Sequence, residues 1–482
     1  MDDDRPVQLP GKHVTAELTF VTQGRPIEFV PRGRLGGVRL VATDLAWSWG
    51  AGPEVAGRGA YLLLVGCGRA TALLRLRGDA VDLLRHRLGA PTRWIDVRAR
   101  RAVSLLPHAG KRAYGYGRKH TARTPEVRMS STTNPTPASP TVTQVTEVVL
   151  PGVVEPEGLQ LRMRALAAPR AGQAVVAVDA TGISMAEQSM RRGRYPGQPR
   201  FPFVPGYDLV GTVTATGPGV DTALVGSRVA AMTKTGGWAT HAVLPAEDLV
   251  VVPRELDPAE VETLVVNGVT AWQMLHHSAR VQRGETVLVH GASGGVGTTL
   301  VQLARHEGIS VIGTAHPRHH DALRALGVVP VDYDDPQLSE TVRALAPQGV
   351  DAVFDHLGGE SLDRSWALLA PGGRLVAYAI ATNVRGTGSV VVPFVAALAK
   401  VLMWNALPNG KRAYFYNLWS GHTVRPARFR RRTREAVDAV LRLLADGTLS
   451  PQVAATFPLT QVREAMALAE SRTVRGKVVL LP

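Results

Sequence analysis

The chain has 482 residues, a formal net charge of +15, 45% hydrophobic and 20% charged residues. These proportions exclude disorder throughout, and the length predicts two to four domains. The single cysteine, Cys67, excludes an intrachain disulfide and a cysteine-based structural zinc cluster.

In chain order, "MDDDRPVQLP" has neither a basic start nor an apolar run and does not read as a secretory signal, so the expected compartment is the cytoplasm. Residues 1–128 hold 22 Lys/Arg and 11 Asp/Glu, so +11 of the net charge belongs to the front of the chain. Short alternating runs such as "HVTAELTFV" and "GVRLVATDLAWSW" predict strands, and "AYLLLVGCGRATALLRLRGDAVDLLRHRL" has helical spacing. Residues 1–92 are therefore expected to form a small α+β domain.

Residues 93–146 are expected to be a linker, basic at first and then Ser/Thr/Pro-rich ("MSSTTNPTPASPTVT"). Tyr114 and Tyr116 within the basic run could contact nucleic acid, but no nucleic-acid fold surrounds them and a solvated linker is favoured. Met129, followed by the polar tract, also reads as an ordinary protein start, which intact-mass measurement would test.

From residue 147 the pattern is longer. Val/Gly/Pro-rich short strands occupy 147–265, followed by alternating strands and helices in "TVLVHG", "VGTTLVQLARHEG", "SVIGTA", "HHDALRALG", "DAVFDHLG" and "GGRLVAYA". That alternation predicts parallel βαβ units. In "LVHGASGGVGTTLVQLA" a strand ending near His290 meets a helix opening near Val296, with Gly291, Ala292, Ser293, Gly294, Gly295, Val296 and Gly297 forming the turn. Missing side chains let backbone approach a pyrophosphate, and a helix N-terminus offers it free N–H groups and positive dipole. Ala292 departs from a strict G-x-G-x-x-G, and tight packing alone is the alternative reading.

The second strand, "SVIGTAHPRHH", distinguishes the cofactors. An NAD site usually ends this strand with a carboxylate for the ribose 2′-hydroxyl. Here Thr314, His316, Arg318, His319 and His320 precede the first acid, Asp321. A guanidinium suits a 2′-phosphate, so NADPH is the expected cofactor.

Residues 147–482 resemble the zinc-free quinone oxidoreductase branch of the medium-chain dehydrogenase/reductase superfamily, near its zeta-crystallin and vesicle-amine-transport-like members. The resemblance is carried by "GISMAEQSMRRGRYPGQPRFPFVPGYDLVGTV", "VGSRVAAMTKTGGWATHAVLP", "VNGVTAWQML", "GASGGVG", "FDHLGGESLDRSWALLAPGGRLVAYA" and "FPLTQVREAMALAESRTVRGKVVL". It implies a β-rich GroES-like catalytic domain, 147–265 completed by 411–482, and a Rossmann domain of doubly wound parallel sheet, 266–410, with the active site between them.

It also implies 2′-phosphate contacts at Arg318 and Tyr333, a nicotinamide-carboxamide contact at Thr270, and Tyr378 at the nicotinamide end. Many members carry Asn and Asp where this chain has Ser184 and Glu187. Ser184 and Tyr195 are the candidate catalytic residues, with helix capping for Glu187 and a core role for Tyr195 as alternatives. A homodimer is further implied. More weakly, the pattern of residues 13–89 resembles the sterol-carrier-like C-terminal domain of mycothiol-dependent maleylpyruvate isomerases; His13, His86 and His108 are scattered and no metal site is carried over.

Ser184 stands at the zinc-ligand cysteine position and no cysteine follows Cys67, so no metal is expected. The resulting expectation is NADPH-dependent hydride transfer to a quinone or an α,β-unsaturated carbonyl. The alternative is a non-catalytic NADPH-binding partner protein of the vesicle-amine-transport-like type. The apolar run 389–410 is interrupted by Pro393 and Lys400; it is expected to line the cleft or a dimer contact, with peripheral membrane contact as the alternative. The basic start of 425–437 reads as solvated surface.

Overall fold

The computed structural model describes residues 35, 37–66, 70–87, 143–379, 391–471 and 473–482. They fall into two compact units, Met1–Pro140 and Thr141–Pro482. Cys67, the strand expected in "HVTAELTFV", the basic run 93–128 and the Ser/Thr/Pro tract up to residue 142 lie outside the described residues.

In the first unit, strands β1 (Arg39–Ala42), β2 (Ser48–Trp49) and β3 (Glu54–Gly57) form a small sheet in which β1 pairs antiparallel with β2 and parallel with β3. Alternate residues of β1 and β3 turn inward. Leu40 and Val55 meet Leu62 of helix α1 (Gly59–Gly66) and Leu84 of helix α2 (Val81–Arg87) in one core.

The second unit opens with the hairpin β4 (Gln144–Val149) and β5 (Gln160–Ala165), then β6 (Gln173–Ile183), helix α3 (Met185–Arg191), β7 (Asp208–Thr216), β8 (Arg228–Met232), β9 (His241–Pro245) and β10 (Val250–Val251). Helix α4 (Pro258–Gln273) follows, capped by Asp257, whose carboxylate accepts from the N–H groups of Ala259 and Glu260. It runs on through Met274–Ala279 as a π-helical turn.

Next come β11 (Thr286–Val289), α5 (Gly295–His306), β12 (Ser310–Ala315), α6 (His320–Ala325), β13 (Val329–Asp332), α7 (Leu338–Leu345), β14 (Val350–Asp355), α8 (Glu360–Ala367) and β15 (Leu369–Ala377). The chain closes with α9 (Val391–Ala406), β16 (Arg412–Phe415), α10 (Pro426–Ala445), β17 (Val453–Pro458), α11 (Val462–Ser471) and β18 (Lys477–Leu481).

Two sheets organise this unit. One has the order β10-β8-β7-β6-β18-β17, with β9 also on β6; the other has the order β13-β12-β11-β14-β15-β16. Every pairing in the second is parallel, which places the first strand centrally and reverses the winding between β11 and β14. That is the Rossmann order, and ligands of such sheets bind at the carboxyl ends of the strands beside the reversal. The central strand reads "TVLV", and Val287, Leu288 and Val289 are fully buried, as helices on both faces require.

Three segments differ from the sequence reading. The expected join at 265/266 falls inside α4, an unbroken helix that packs on both sheets' strands or helices: Val261, Leu264 and Val265 share a core with Val287 and Val301. Residues 411–445 were expected to complete the β-rich part, but β16 pairs in parallel with β15, and Ala436, Val437, Val440 and Leu441 of α10 join the core around α4 and α5. The i, i+1, i+4, i+5 spacing of those apolar residues buries one stripe, so only the outer face of this arginine-rich helix is solvated.

The apolar run 389–410 supplies α9, whose Ala397, Val401 and Trp404 cover the parallel sheet with Leu369 and Leu375. Trp404 stacks on Trp366 at 4.9 Å, so part of the run expected at a cleft or dimer contact is core. No helix among the described residues is long and apolar enough to cross a membrane.

Candidate functional site

The glycine turn joins β11 to α5 at the winding reversal. Gly291 has φ +66°, and a Cβ there would come 2.5 Å from Cε1 of His356. A Cβ on Gly297 would stand 2.1 Å from the carbonyl oxygen of Gly291, so the first turn of α5 lies directly on the strand end. Gly294 is the N-cap and no side chain caps the helix, which leaves the first-turn N–H groups of Gly295, Val296 and Gly297 for an outside acceptor. Ser293 and Val296 are half-buried on this rim; Ala292 is fully buried and donates its N–H to the Thr314 carbonyl.

Thr314 works from beneath. It is 1% exposed, and its hydroxyl accepts from the Gly291 N–H at 3.2 Å and meets His290 Nδ1 at 3.3 Å. His290 also bonds the Ser365 hydroxyl at 3.1 Å, and burial lowers its pKa, which keeps the imidazole neutral. Buried Asp355 accepts from Leu357 N, Gly358 N and the Ser361 and Ser365 hydroxyls. The turn is thus tied to β12 and β14 by hydrogen bonds the sequence reading did not identify.

At the outer edge, β12 and β13 end side by side, and Tyr333 N donates to Ala315 O. This brings together residues fifteen or more apart in sequence: the His316 ring lies 6.1 Å from that of Tyr333. Tyr333 is 50% exposed. Arg318 is exposed in a single 3₁₀ turn (Pro317–His319) capped by His316, whose Nδ1 accepts from the Arg318 N–H. The nearest following carboxylate, Asp321, is engaged with Arg324 at 2.7 Å.

At the inner end, Tyr378 and Tyr416 follow β15 and β16 as neighbours, with Tyr378 N donating to Asp355 O and Tyr416 N to Ala377 O. Thr270, on α4, lies against the Tyr416 phenol, which donates to Gln273 Oε1 at 3.2 Å. His356, a residue the sequence reading passed over, is sandwiched between Gly291 and Tyr378, its ring 5.8 Å from the tyrosine's. Burial, and then Asp355, raise the Tyr378 phenol, which stays protonated at neutral pH.

Ser184 is the N-cap of α3. Its hydroxyl accepts from Ala186 N at 3.1 Å and bonds Glu187, while Glu187 Oε2 accepts the Ser184 N–H at 2.9 Å, a capping box. The other Glu187 oxygen accepts Tyr207 N at 2.6 Å, so this buried carboxyl fastens α3 to the strand leading into β7. Burial raises its pKa, with the Asp208 charge adding to the effect. The Ser184 hydroxyl is therefore committed to the helix end. Ser184→Ala is expected to lower stability by about 1 kcal/mol, the usual worth of such a cap, as measured by urea unfolding.

Behind this loop, Lys477 Nζ sits 2.7 Å from both Asp208 Oδ2 and Glu262 Oε1, with all three residues under 5% exposed. Gly182 on β6 makes the room, since a Cβ there would be 2.3 Å from Lys477 Cε. The trio joins β7, β18 and α4. Burial and Asp208 push Glu262 well above the ordinary carboxyl range, while Lys477 is raised by its two carboxylates against the opposing effect of burial.

Comparison with known proteins agrees with this architecture. Residues 170–254 match the alcohol dehydrogenase GroES-like domain, and residues 323–480 match the zinc-binding dehydrogenase family. The human synaptic vesicle membrane protein VAT-1 homolog is 32% identical over 340 residues, covering 67% of this chain and 82% of that protein. The 2-haloacrylate reductase of a Burkholderia species is 31% identical over 332 residues, covering 65% of this chain and 92% of that protein.

Among solved structures, a mycobacterial protein complexed with NADPH is 27% identical with a TM-score of 0.60, covering 70% of this chain and all of that one. The quinone oxidoreductase of Pseudomonas syringae is 25% identical with a TM-score of 0.61 over the same shares. The chain belongs to the zinc-free quinone oxidoreductase branch of the medium-chain dehydrogenase/reductase superfamily.

The zinc in the name of the matched family does not fit these residues. Ser184 and Glu187 spend their polar atoms on the capping box and Tyr207, and His241 Nδ1 meets only the neighbouring Thr240 hydroxyl. Among the described residues no group of three His, Cys, Asp or Glu could hold a metal ion.

Proposed function

We propose that residues 141–482 bind NADPH and reduce a small-molecule acceptor, a quinone or an α,β-unsaturated carbonyl, by hydride transfer. The observation that carries this reading is the convergence of the glycine turn with an exposed basic edge, His316 and Arg318 beside Tyr333, at the carboxyl ends of adjacent strands. The turn fits a pyrophosphate, because a side chain is excluded at Gly297 by the backbone of Gly291 and at Gly291 by His356, and the helix N-terminus is uncapped. Arg318 and Tyr333 would hold the 2′-phosphate, and Thr270 and Tyr378 the nicotinamide end. Thr314 would act through the turn it braces. The similar mycobacterial structure holding NADPH supports the assignment.

The bound cofactor supplies hydride. The protein supplies position and the hydroxyl of Tyr195 at the acceptor end of the cleft.

Oxidation of NADPH by 1,4-benzoquinone tests the reading. Turnover together with quenching of tryptophan fluorescence by NADPH is expected. Quenching without turnover on any acceptor would instead favour a non-catalytic NADPH-binding protein, the reading that the similarity to the vesicle membrane protein supports. Arg318→Asp is expected to weaken NADPH by about 100-fold, a charge-assisted pair being lost and a repulsion gained, and NADH by only about 3-fold. Equal weakening of both would refute the phosphate contact. A homodimer is expected on sedimentation.

A further inference from the structure

Trp419, Tyr207 and Tyr195 come from three separate stretches and form one hydrogen-bonded chain. Trp419 stands shortly after β16, Tyr207 just before β7 and Tyr195 just after α3. Trp419 Nε1 is 2.5 Å from Tyr207 Oη, which is 2.5 Å from Tyr195 Oη. The rings meet edge to face at 5.6 and 5.8 Å. Phe429, stacked on Trp419 at 5.8 Å, and His422, edge-on to both, hold the indole from the other side.

The direction of the chain follows from donor chemistry. An indole N–H only donates, so the Tyr207 oxygen accepts from Trp419. Tyr207 is 6% exposed and its hydroxyl has these two polar neighbours, so its own hydrogen goes to Tyr195; the opposite arrangement would bury an unpaired donor. Tyr195 therefore accepts from Tyr207, and its own hydrogen points away from Tyr207. Tyr195 is only half-buried, unlike Tyr207, so that hydrogen has an outlet. Tyr416, three residues before Trp419, reaches the neighbourhood of Thr270, which sets the chain at the carboxyl edge of the parallel sheet.

We propose that Tyr207 and Trp419 are positioning residues that aim the Tyr195 hydroxyl at the carbonyl oxygen of the acceptor, where it donates a proton. The proposal rests on the hydride-transfer reading above. Hydride addition at the β-carbon of an enone shifts the alkene pair into a new bond between the α-carbon and the carbonyl carbon and the carbonyl π pair onto its oxygen, giving an enolate. That oxygen forms an O–H bond as the Tyr195 O–H bond breaks, and the resulting enol tautomerises to the saturated ketone in water. The phenolate left on Tyr195 keeps the electron pair, accepts from Tyr207, and recovers a proton from water in the half-open cleft. Burial raises the Tyr195 phenol, so it is protonated and able to donate at neutral pH. An enone is a weak electrophile and needs this acid in the transition state; a quinone gains an aromatic anion and needs it far less.

The test compares wild-type, Tyr195→Phe, Tyr207→Phe and Trp419→Phe proteins with NADPH and either 2-cyclohexenone or 1,4-benzoquinone. With the enone, kcat is expected to fall about 100-fold in Tyr195→Phe and about 10-fold in Tyr207→Phe and Trp419→Phe, the span of positioned acid catalysis, with losses about 10-fold smaller for the quinone. The solvent deuterium isotope effect on enone kcat should also shrink in Tyr195→Phe. NADPH quenching reports that the variants fold. Equal losses with both acceptors, or a wild-type protein that reduces the quinone and not the enone, would overturn the proposal and leave the hydride reading standing.

A protein that reduces neither acceptor would sink the hydride reading itself. The hydrogen-bond direction is then decided without turnover by p-nitrophenolate, whose absorption moves when its oxyanion accepts a hydrogen bond. The bound spectrum should shift in wild type, shift less in Tyr207→Phe and not shift in Tyr195→Phe; the same shift in all three proteins overturns the proposal.

Discussion

Lys477→Met is expected to cost about 3–5 kcal/mol of stability in urea unfolding, because removing one partner from a buried ion group leaves its opposite charges uncompensated. The effect is large because the trio has no access to water: Lys477, Asp208 and Glu262 are 4%, 0% and 0% exposed. Nor can the cavity relax, since Gly182 already yields its side-chain space to the lysine stem and methionine fills that volume without the charge.

The loss should depend on pH in a defined direction. Glu262 lies above the ordinary carboxyl range even with Lys477 present, and removing the cation raises it further. A carboxyl raised in the folded state contributes stability that is present below its unfolded pKa of about 4.3 and is lost as pH rises through the folded value. The variant should therefore be closer to wild type at pH 5 than at pH 8. A loss below about 1 kcal/mol, or a deficit independent of pH, would show that the trio is not acting as an ion group.

Gly297→Ala is expected to weaken NADPH binding by at least about 100-fold, close to 3 kcal/mol, and to destabilise the fold by about 2–3 kcal/mol through overpacking. The new methyl would stand 2.1 Å from Gly291 O and 2.9 Å from Ala292 Cα. Both obstacles are backbone, which cannot turn aside as a flexible side chain can. The helix must back away from the strand end, and its first-turn N–H groups move with it.

Gly294 is the internal control. Its φ is −80°, and a Cβ there meets only Gly291 O at 3.3 Å, so Gly294→Ala should leave stability within about 1 kcal/mol of wild type. Fluorescence quenching and thermal unfolding read both variants. A Gly297→Ala protein that quenches as tightly as wild type would remove the phosphate-cradle assignment.

Much of this architecture was legible in the chain. "TVLVHGASGGVG" announces a buried strand, a tight turn and a helix because apolar run, glycine and helical spacing are local properties, and they coincide with β11 and α5. The candidate 2′-phosphate residues were legible for the same reason: parallel pairing of β12 with β13 follows from the alternation of strands and helices, and it delivers Tyr333 to His316. Membership of the superfamily also rested on motifs spread in order along residues 147–482.

Other features had no local signal. Nothing in "PARFRRRTREAV" says that its apolar stripe packs on α4; a basic helix start reads as solvated until a neighbour is present. Ser184 was a candidate for chemistry because of its position after "GI", yet its hydroxyl is spent on the cap of α3. The capping-box spacing with Glu187 was present in the sequence, but only the fold shows that the second carboxyl oxygen holds Tyr207.

By itself the sequence determined the two-sheet fold, the glycine turn and the basic edge, since each depends on residues near one another in the chain or on regular periodicity. The tertiary structure alone decided which distant groups share a buried space. Asp208, Glu262 and Lys477 meet across the join of β7, α4 and β18, and Tyr195, Tyr207 and Trp419 acquire a donor direction only when the turn after β16 reaches the strand before β7. Hydrogen bonds and ion pairs act over a few ångströms in space and carry no mark in sequence separation, so the hydrogen-bonded aromatic chain and the buried charge cluster became visible only in the folded chain.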